Sequence, residues 1–174
     1  RGLALDTLRP VPDYREVNNM SARKNIEVLR EKFVDWEAKG KVVEVKDPPR
    51  IINPMSVVAK YDGEKKRMKY RPVIDMSRHI NPLMEDRKVK LADLSYFEPL
   101  YVKRSFGVTW DFTSMYHQLM LTKGTSELFG CAIEQADKTF KYYKFKYLMF
   151  GTKPAVYIMT WLLKLAMNYL RDNS

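Results

Sequence analysis

Cysteine and histidine are nearly missing from this chain: Cys131 stands alone, and two histidines occur in 174 residues. A single thiol excludes an internal disulfide and any cysteine-cluster zinc site. Two histidines argue against a His-rich metal centre, so any metal would be a hard cation held by carboxylate oxygens. Cys131 lies in the apolar run Leu128-Phe129-Gly130-Cys131-Ala132-Ile133, a setting for a buried structural thiol rather than a nucleophile. No apolar run approaches the roughly 20 residues of a membrane span, and no signal-peptide pattern opens the chain. No membrane association is therefore expected. A Gly-rich phosphate loop of Walker or Rossmann spacing is also absent, which disfavours the nucleotide folds built on those loops. There are no internal repeats and no low-complexity tracts.

Positive charge is what the chain has in excess, with 31 Lys+Arg against 21 Asp+Glu and a net charge of +10. Such an excess attracts polyanions, of which nucleic acid is the commonest. A merely solvated basic surface, or an acidic protein partner, is the competing reading. Hydrophobic residues make up 45% of the chain, enough for one folded domain or two small lobes sharing a core. Arg1 stands where a Met would begin a chain, and Arg171-Asp172-Asn173-Ser174 follows a helical pattern. Both ends are expected to be processing boundaries.

Residues 1–20 carry Pro10 and Pro12 with little periodicity and read as an extended lead-in. Ser21 is a candidate N-cap. Ala22, Ile26, Leu29, Phe33 and Trp36 then recur at three- and four-residue steps, predicting an amphipathic helix that stops at Gly40. Val42, Val43 and Val45 predict a short strand before Asp47-Pro48-Pro49. Asn53 to Lys60 and Lys69 to Met76 predict a hairpin turning across Tyr61-Asp62-Gly63-Glu64. His79 to Lys90 reads as irregular, Ala92 to Tyr101 as a short helix and Phe106 to Phe112 as a strand. A second hairpin is expected from Leu128–Glu134 and Lys138–Phe150, with Tyr143, Phe145, Tyr147 and Met149 sharing a face. An apolar helix over Ala155 to Leu170 closes the chain. Helices among antiparallel strands, without a repeated βαβ unit, give an α+β fold.

Asp111 is the first candidate for chemistry. Phe106, Val108, Trp110 and Phe112 alternate onto one strand face, and Thr109 and Asp111 onto the other. A carboxylate fixed at a strand end suits a hard metal ion; capping of the turn at Thr113-Ser114 is the plainer role.

The segment Trp110-Asp111-Phe112-Thr113-Ser114-Met115-Tyr116-His117-Gln118 resembles the first catalytic motif of retroelement reverse transcriptases. Asn53-Pro54-Met55-Ser56-Val57-Val58-Ala59-Lys60 and Tyr70-Arg71-Pro72-Val73-Ile74-Asp75-Met76-Ser77-Arg78-His79-Ile80-Asn81 resemble the paired finger strands of the same family. Phe150-Gly151-Thr152-Lys153 and the helix behind it resemble its template grip. Ala155, Tyr157 and Thr160 give the stretch a likeness to DIRS-type retrotransposons. The likeness spans about residues 20 to 172, with the motifs in family order.

The resemblance implies a right-hand polymerase: an extended lead-in over 1–20, fingers with the start of the palm over 21–105, and a partial palm with an interleaved grip segment over 106–174. It implies an RNA-directed DNA polymerase, a nucleotidyltransferase that binds an RNA or DNA template-primer and a deoxynucleotide, in the cytoplasm or nucleus. Two Mg²⁺ ions would activate the primer hydroxyl and neutralise the leaving pyrophosphate, held in part by Asp111 and the backbone carbonyl of Phe112. Tyr116 would sit under the incoming sugar and exclude a 2′ hydroxyl, beside Gly151 of the grip. Lys60 and Arg71 would clamp the triphosphate, one as a mobile point charge and the other as a planar fork. Lys65, Lys66, Arg67 and Lys69 would guide the template through phosphate contacts, with Arg87, Lys88 and Lys90 farther along its path. Singly, each of these residues has a plainer role in core or solvent.

Two departures stand out. Leu148-Met149-Phe150-Gly151 replaces the family's Leu-Pro-Phe-Gly, and Thr152-Lys153-Pro154 replaces a stretch of leucine and small residues. The paired aspartates of the Tyr-x-Asp-Asp hairpin are not in the chain, and Asp172 does not match them. The alternative is thus a domesticated, catalytically inactive domain that binds a protein or RNA as a scaffold. One motif aspartate does not hold two divalent ions, so the chain alone is expected not to polymerise. A primer-extension assay checks this, and Mg²⁺-dependent nucleotide addition by the chain would contradict it.

Overall fold

The computed structural model describes residues 2–173 apart from 91–94, 96, 97, 101, 105, 107–111 and 113. Within them the fold is mixed α+β, with four helices and antiparallel sheets. The chain runs through β1 (Tyr14–Arg15), α1 (Met20–Lys24), α2 (Ile26–Ala38), β2 (Val42–Val45) and β3 (Ile51–Ile52). It continues through β4 (Met55–Asp62), β5 (Arg67–Ile74), α3 (Lys123–Ser126), β6 (Gly130–Glu134), β7 (Phe140–Phe145) and α4 (Ala155–Asp172). β2, β7 and β6 form a three-stranded antiparallel sheet, β4 and β5 a separate hairpin, and β1 pairs with β3 in parallel.

The apolar stripe of α2 builds the core. Leu29, Phe33 and Trp36 are buried, and Phe33 meets Tyr143 and Phe145 of β7 with ring centroids 4.8 and 5.7 Å apart. Trp36 reaches the same Phe145 edge-on at 5.6 Å. Tilted and edge-to-face contacts of this kind add to the burial of large rings. Cys131 and Ile133 of β6 complete the layer at 0% exposure. The Cys131 thiol is a structural one: burial pushes its pKa up, out of the nucleophilic range.

Several boundaries differ from the sequence reading. Ser21 is not the N-cap: α1 starts at Met20 behind Asn19, and the Ser21 hydroxyl accepts from the Val57 amide instead. The single long helix is broken at Asn25, whose backbone leaves helical geometry (φ −119°, ψ 40°) while its side chain donates to the Ser21 carbonyl. Local side-chain bonding of Asn competes with the helix. The first hairpin keeps Tyr61 and Asp62 in β4 and turns across 63–66, with the Lys65 amide donating to Asp62 Oδ1. Leu128 and Phe129 form a 3₁₀ turn ahead of β6, and β7 ends at Phe145. Beyond it Leu148 and Met149 are both buried, so the alternation across Tyr147 and Met149 does not persist. The helix expected over 92–101 and the strand over 106–112 fall largely outside the described residues.

Residues 2–19 are fastened to the rest of the fold. Leu3 bridges to Leu121, and Tyr14 pairs with Ile51. Asn53, at 0% exposure, ties these parts together. Its Nδ2 donates to the carbonyls of Leu128 and Gly130 at 2.8 and 3.1 Å, and its Oδ1 accepts from the Tyr14 hydroxyl. Gly130 is required beside it, because a Cβ there would lie 2.1 Å from the Ile51 carbonyl oxygen.

At the other end of the chain, α4 buries only Ala155 and Met159. Trp161, Leu165, Met167, Tyr169 and Leu170 are exposed. Among the described residues no helix is long and apolar enough to cross a membrane.

Asn53→Ala would strand the carbonyls of Leu128 and Gly130 and the Tyr14 hydroxyl. Urea unfolding should show a loss of about 3 kcal/mol, at the level of buried polar groups left unpaired.

Candidate nucleic-acid interface

Register decides what the hairpin presents. Val58 faces Arg71, Lys60 faces Lys69, and Asp62 faces Arg67 across the strands. Direct cross-strand partners share a sheet face, so Lys60, Arg67, Lys69 and Arg71 share one side. Val57, Ala59, Tyr61, Met68, Tyr70 and Pro72 take the other. The hairpin's root is core, with Met55 and Ile74 at 0% exposure, whereas Lys60, Arg67, Lys69 and Arg71 are all exposed.

None of these four cations has an ion-pair or hydrogen-bond partner among the described residues. Like charges directly opposite on a sheet repel, so the Lys60–Lys69 pair weakens the isolated hairpin and gains from an anion between the strands. Lys65 and Lys66 stand at the turn. Lys66 holds a left-handed backbone (φ 46°) that glycine or asparagine adopts more readily. The residues expected to clamp a triphosphate, Lys60 and Arg71, thus share their surface with the template candidates Arg67 and Lys69.

A second group lies at the root of that face. Gly151 takes φ 93° and approaches the hairpin so closely that a Cβ would lie 2.9 Å from the Ile74 carbonyl oxygen and 3.6 Å from the Val73 side chain. Both the positive φ and the close approach demand glycine. Asn81 holds this turn from both sides: its Nδ2 donates to the Gly151 carbonyl at 2.7 Å, and its Oδ1 accepts from the Lys153 amide at 2.9 Å. Tyr116 packs edge-on against Phe150, with ring centroids 4.4 Å apart. Tyr116, Phe150, Gly151 and Val73 therefore form one continuous contact leading to the strand that carries Arg71.

Tyr116 owes its place to its neighbour. His117 lies in the 3₁₀ turn Met115–Gln118. Its Nδ1 is 3.1 Å from Lys41 Nζ, and its Nε2 is 3.1 Å from Met149 Sδ. Burial first, and then the charges of Lys41 and Lys32, draw its pKa down to about 4. The ring is neutral at neutral pH, accepting from the Lys41 ammonium and donating toward Met149. Burial likewise lowers the pKa of Lys41. Neither the Asn81 clamp nor the Lys41–His117 link was anticipated as a site feature. Asn81 and His117 lie inside the family-like segments, but their partners are distant in sequence.

The remaining candidates divide. Asp111 lies outside the described residues. Phe112 is 50% exposed. Arg87 is engaged, bonding Glu85 at 3.0 Å and lying over the Tyr157 ring at 5.2 Å, so it is not a free phosphate contact. Lys88 and Lys90 are exposed. Among the described residues no three His, Cys, Asp or Glu side chains are gathered for a metal. The donors named for Mg²⁺, one carboxylate and one carbonyl, fall short of a two-ion site.

No family model matches the chain, and no curated protein matches it.

The buried neutral His117 predicts an acid-sensitive fold. The unfolded ring takes a proton near its ordinary 6.5 and the folded ring near 4. Between those values the unfolded state binds more protons, so stability falls as pH drops through that window. Urea midpoints measured from pH 7 to 4 should decline, and His117→Gln should flatten the decline. Asp75, whose pKa is held down chiefly by its bond from Ser77, acts below this window.

Proposed function

We propose that this chain supplies the fingers with the start of the palm (21–105) and a partial palm with an interleaved grip segment (106–174) of a retroelement reverse transcriptase, an RNA-directed DNA polymerase of DIRS-type affinity. The observation that carries the reading is the basic face of the hairpin, where four cations outnumber the single carboxylate of Asp62. Lys60, Arg67, Lys69 and Arg71 sit on one side of two strands that also carry the family-like motifs. Phosphate oxygens are the ligands such a face attracts, with Arg71 gripping as a fork and the lysines as point charges. The glycine turn at 151 and the Tyr116 ring, both tied to the root of that face, suit the floor of a deoxynucleotide pocket. When bound, Mg²⁺ would supply charge neutralisation at the phosphates. In this reading the described residues hold and orient the polyanion, and Asp111 stays a motif assignment.

The exposed stripe of Trp161, Leu165 and Tyr169 on α4 favours one further reading, a domesticated domain that uses that helix to hold a protein partner and does no chemistry. The two readings differ over a template-primer duplex. A polymerase lobe prefers it to a duplex of equal length without a primer end, and a scaffold of this kind binds both alike through its net charge.

Binding of a labelled template-primer should weaken steadily as salt rises. Lys60→Gln and Lys69→Gln together should flatten the plot of log affinity against log salt by about 1.8, at about 0.9 for each phosphate no longer neutralised. A duplex affinity that does not respond to salt would sink the polymerase reading.

A further inference from the structure

A groove of about 620 Å³ runs beside β6, lined by the end of the lead-in, the start of the helical pair and the β6–β7 hairpin. It shares no residue with β4 or β5. β6 is an edge strand, paired only with β7, and edge strands ordinarily recruit a further strand. Here the outward carbonyls are taken. Gly130 accepts from the Asn53 amide at 2.9 Å, Ala132 from Asn18 Nδ2 at 2.8 Å and Glu134 from Arg30 Nε at 2.8 Å. A peptide adding as a strand would find no acceptor on this edge.

What the groove offers is side chains. Its acids are already engaged: Glu134 bonds Lys138 at 2.9 Å, and Glu16 bonds His79 at 2.9 Å with Arg78 close by. Arg30 pairs with Glu27. The side chains of Arg15 and Arg23 are exposed and have no ion-pair or hydrogen-bond partner among the described residues. The same groove is lined from β7 by Phe140, 51% exposed, and Tyr142, half-buried. Strand alternation sets both rings on the sheet face turned away from the Tyr143 and Phe145 that pack on Phe33.

We propose that this groove is a binding site for single-stranded nucleic acid, with Arg15 and Arg23 on phosphates and Phe140 and Tyr142 as a platform for bases. Free guanidiniums beside exposed rings are the two elements of such sites: cations follow the backbone, and every base has a face to stack. An acidic peptide would use the cations and leave the rings idle. The site is separate from the basic face of the hairpin and does not rest on the polymerase reading, because holding a strand needs neither metal nor catalytic carboxylate.

The test is fluorescence anisotropy of labelled oligouridine with the whole chain across a salt series. Arg15→Gln with Arg23→Gln should flatten the log–log salt dependence by about 1.4, at about 0.7 for each phosphate neutralised on a single strand. Phe140→Ala should weaken oligouridine about tenfold and leave an abasic oligonucleotide of equal length unchanged. These positions are exposed, and unchanged thermal unfolding of each variant shows that the fold is intact. Lys60→Gln with Lys69→Gln separates the two surfaces. If that pair alone removes oligouridine binding and the groove variants do nothing, the proposal is overturned. It is equally overturned if Phe140→Ala has no effect while polyglutamate displaces the oligonucleotide, since the groove then takes acidic protein.

Discussion

Asn53 is fully buried, so each polar atom of its side chain must find its partner inside the protein. The partners it finds come from two distant stretches: the Tyr14 hydroxyl in the lead-in, and the Leu128 and Gly130 carbonyls where a 3₁₀ turn runs into β6. Its own backbone leads into β4, and so into the hairpin. An amide in that position fixes where the lead-in crosses, how β3 lies against β6 and how the hairpin leaves the core. Apolar packing, such as that of α2 on β7, contributes favourable burial, but it is tolerant of small shifts. The amide is not, because its bonds are directional and an unmet one in the interior is costly.

That fixed exit gives the hairpin two different halves. Its root shares the core with Met76 and Leu148, while its outer half stands in solvent with cations on one side and Tyr61, Met68 and Tyr70 on the other. A rigid base carrying an uncompensated charged surface is a common way to hold a ligand-binding element in place without covering it. The Gly151 turn lies close against the same root at the Ile74 carbonyl and is held there by Asn81. Strand, turn and Tyr116 are therefore positioned by one packed layer rather than by separate loops.

Local pattern carried much of this into the sequence. Three- and four-residue spacing marked Leu29, Phe33 and Trp36 before any contact was known, and alternation marked both hairpins and the buried Tyr143 and Phe145. The face shared by Lys60, Lys69 and Arg71 needed the register, which moves with the turn. Reading the turn two residues early still gave the right strands, without the pairs between them. The features least visible were side-chain bonds to distant backbone. Asn18 on Ala132, Asn53 on Gly130 and Asn81 on Gly151 join residues 70 or more positions apart, and an isolated asparagine carries no sign of such a partner. The break at Asn25 was hidden too, because the apolar spacing of α2 continues straight through it. Asp111, the residue most prominent in the motif, falls outside the described part of the chain.

The uncovered side of α4 bears on how the protein behaves in solution. Trp161, Leu165 and Tyr169, four residues apart along one stripe of α4, form an adhesive surface on a molecule carrying a net charge of +10. In dilute buffer, mutual repulsion holds copies apart and keeps those side chains from meeting. Electrostatic reach shrinks from about 10 Å at 0.1 M salt to about 3 Å at 1 M, while apolar attraction does not weaken with it. The strong salt wash that would free this basic protein of co-purifying polyanions is therefore also the condition under which its molecules begin to cluster.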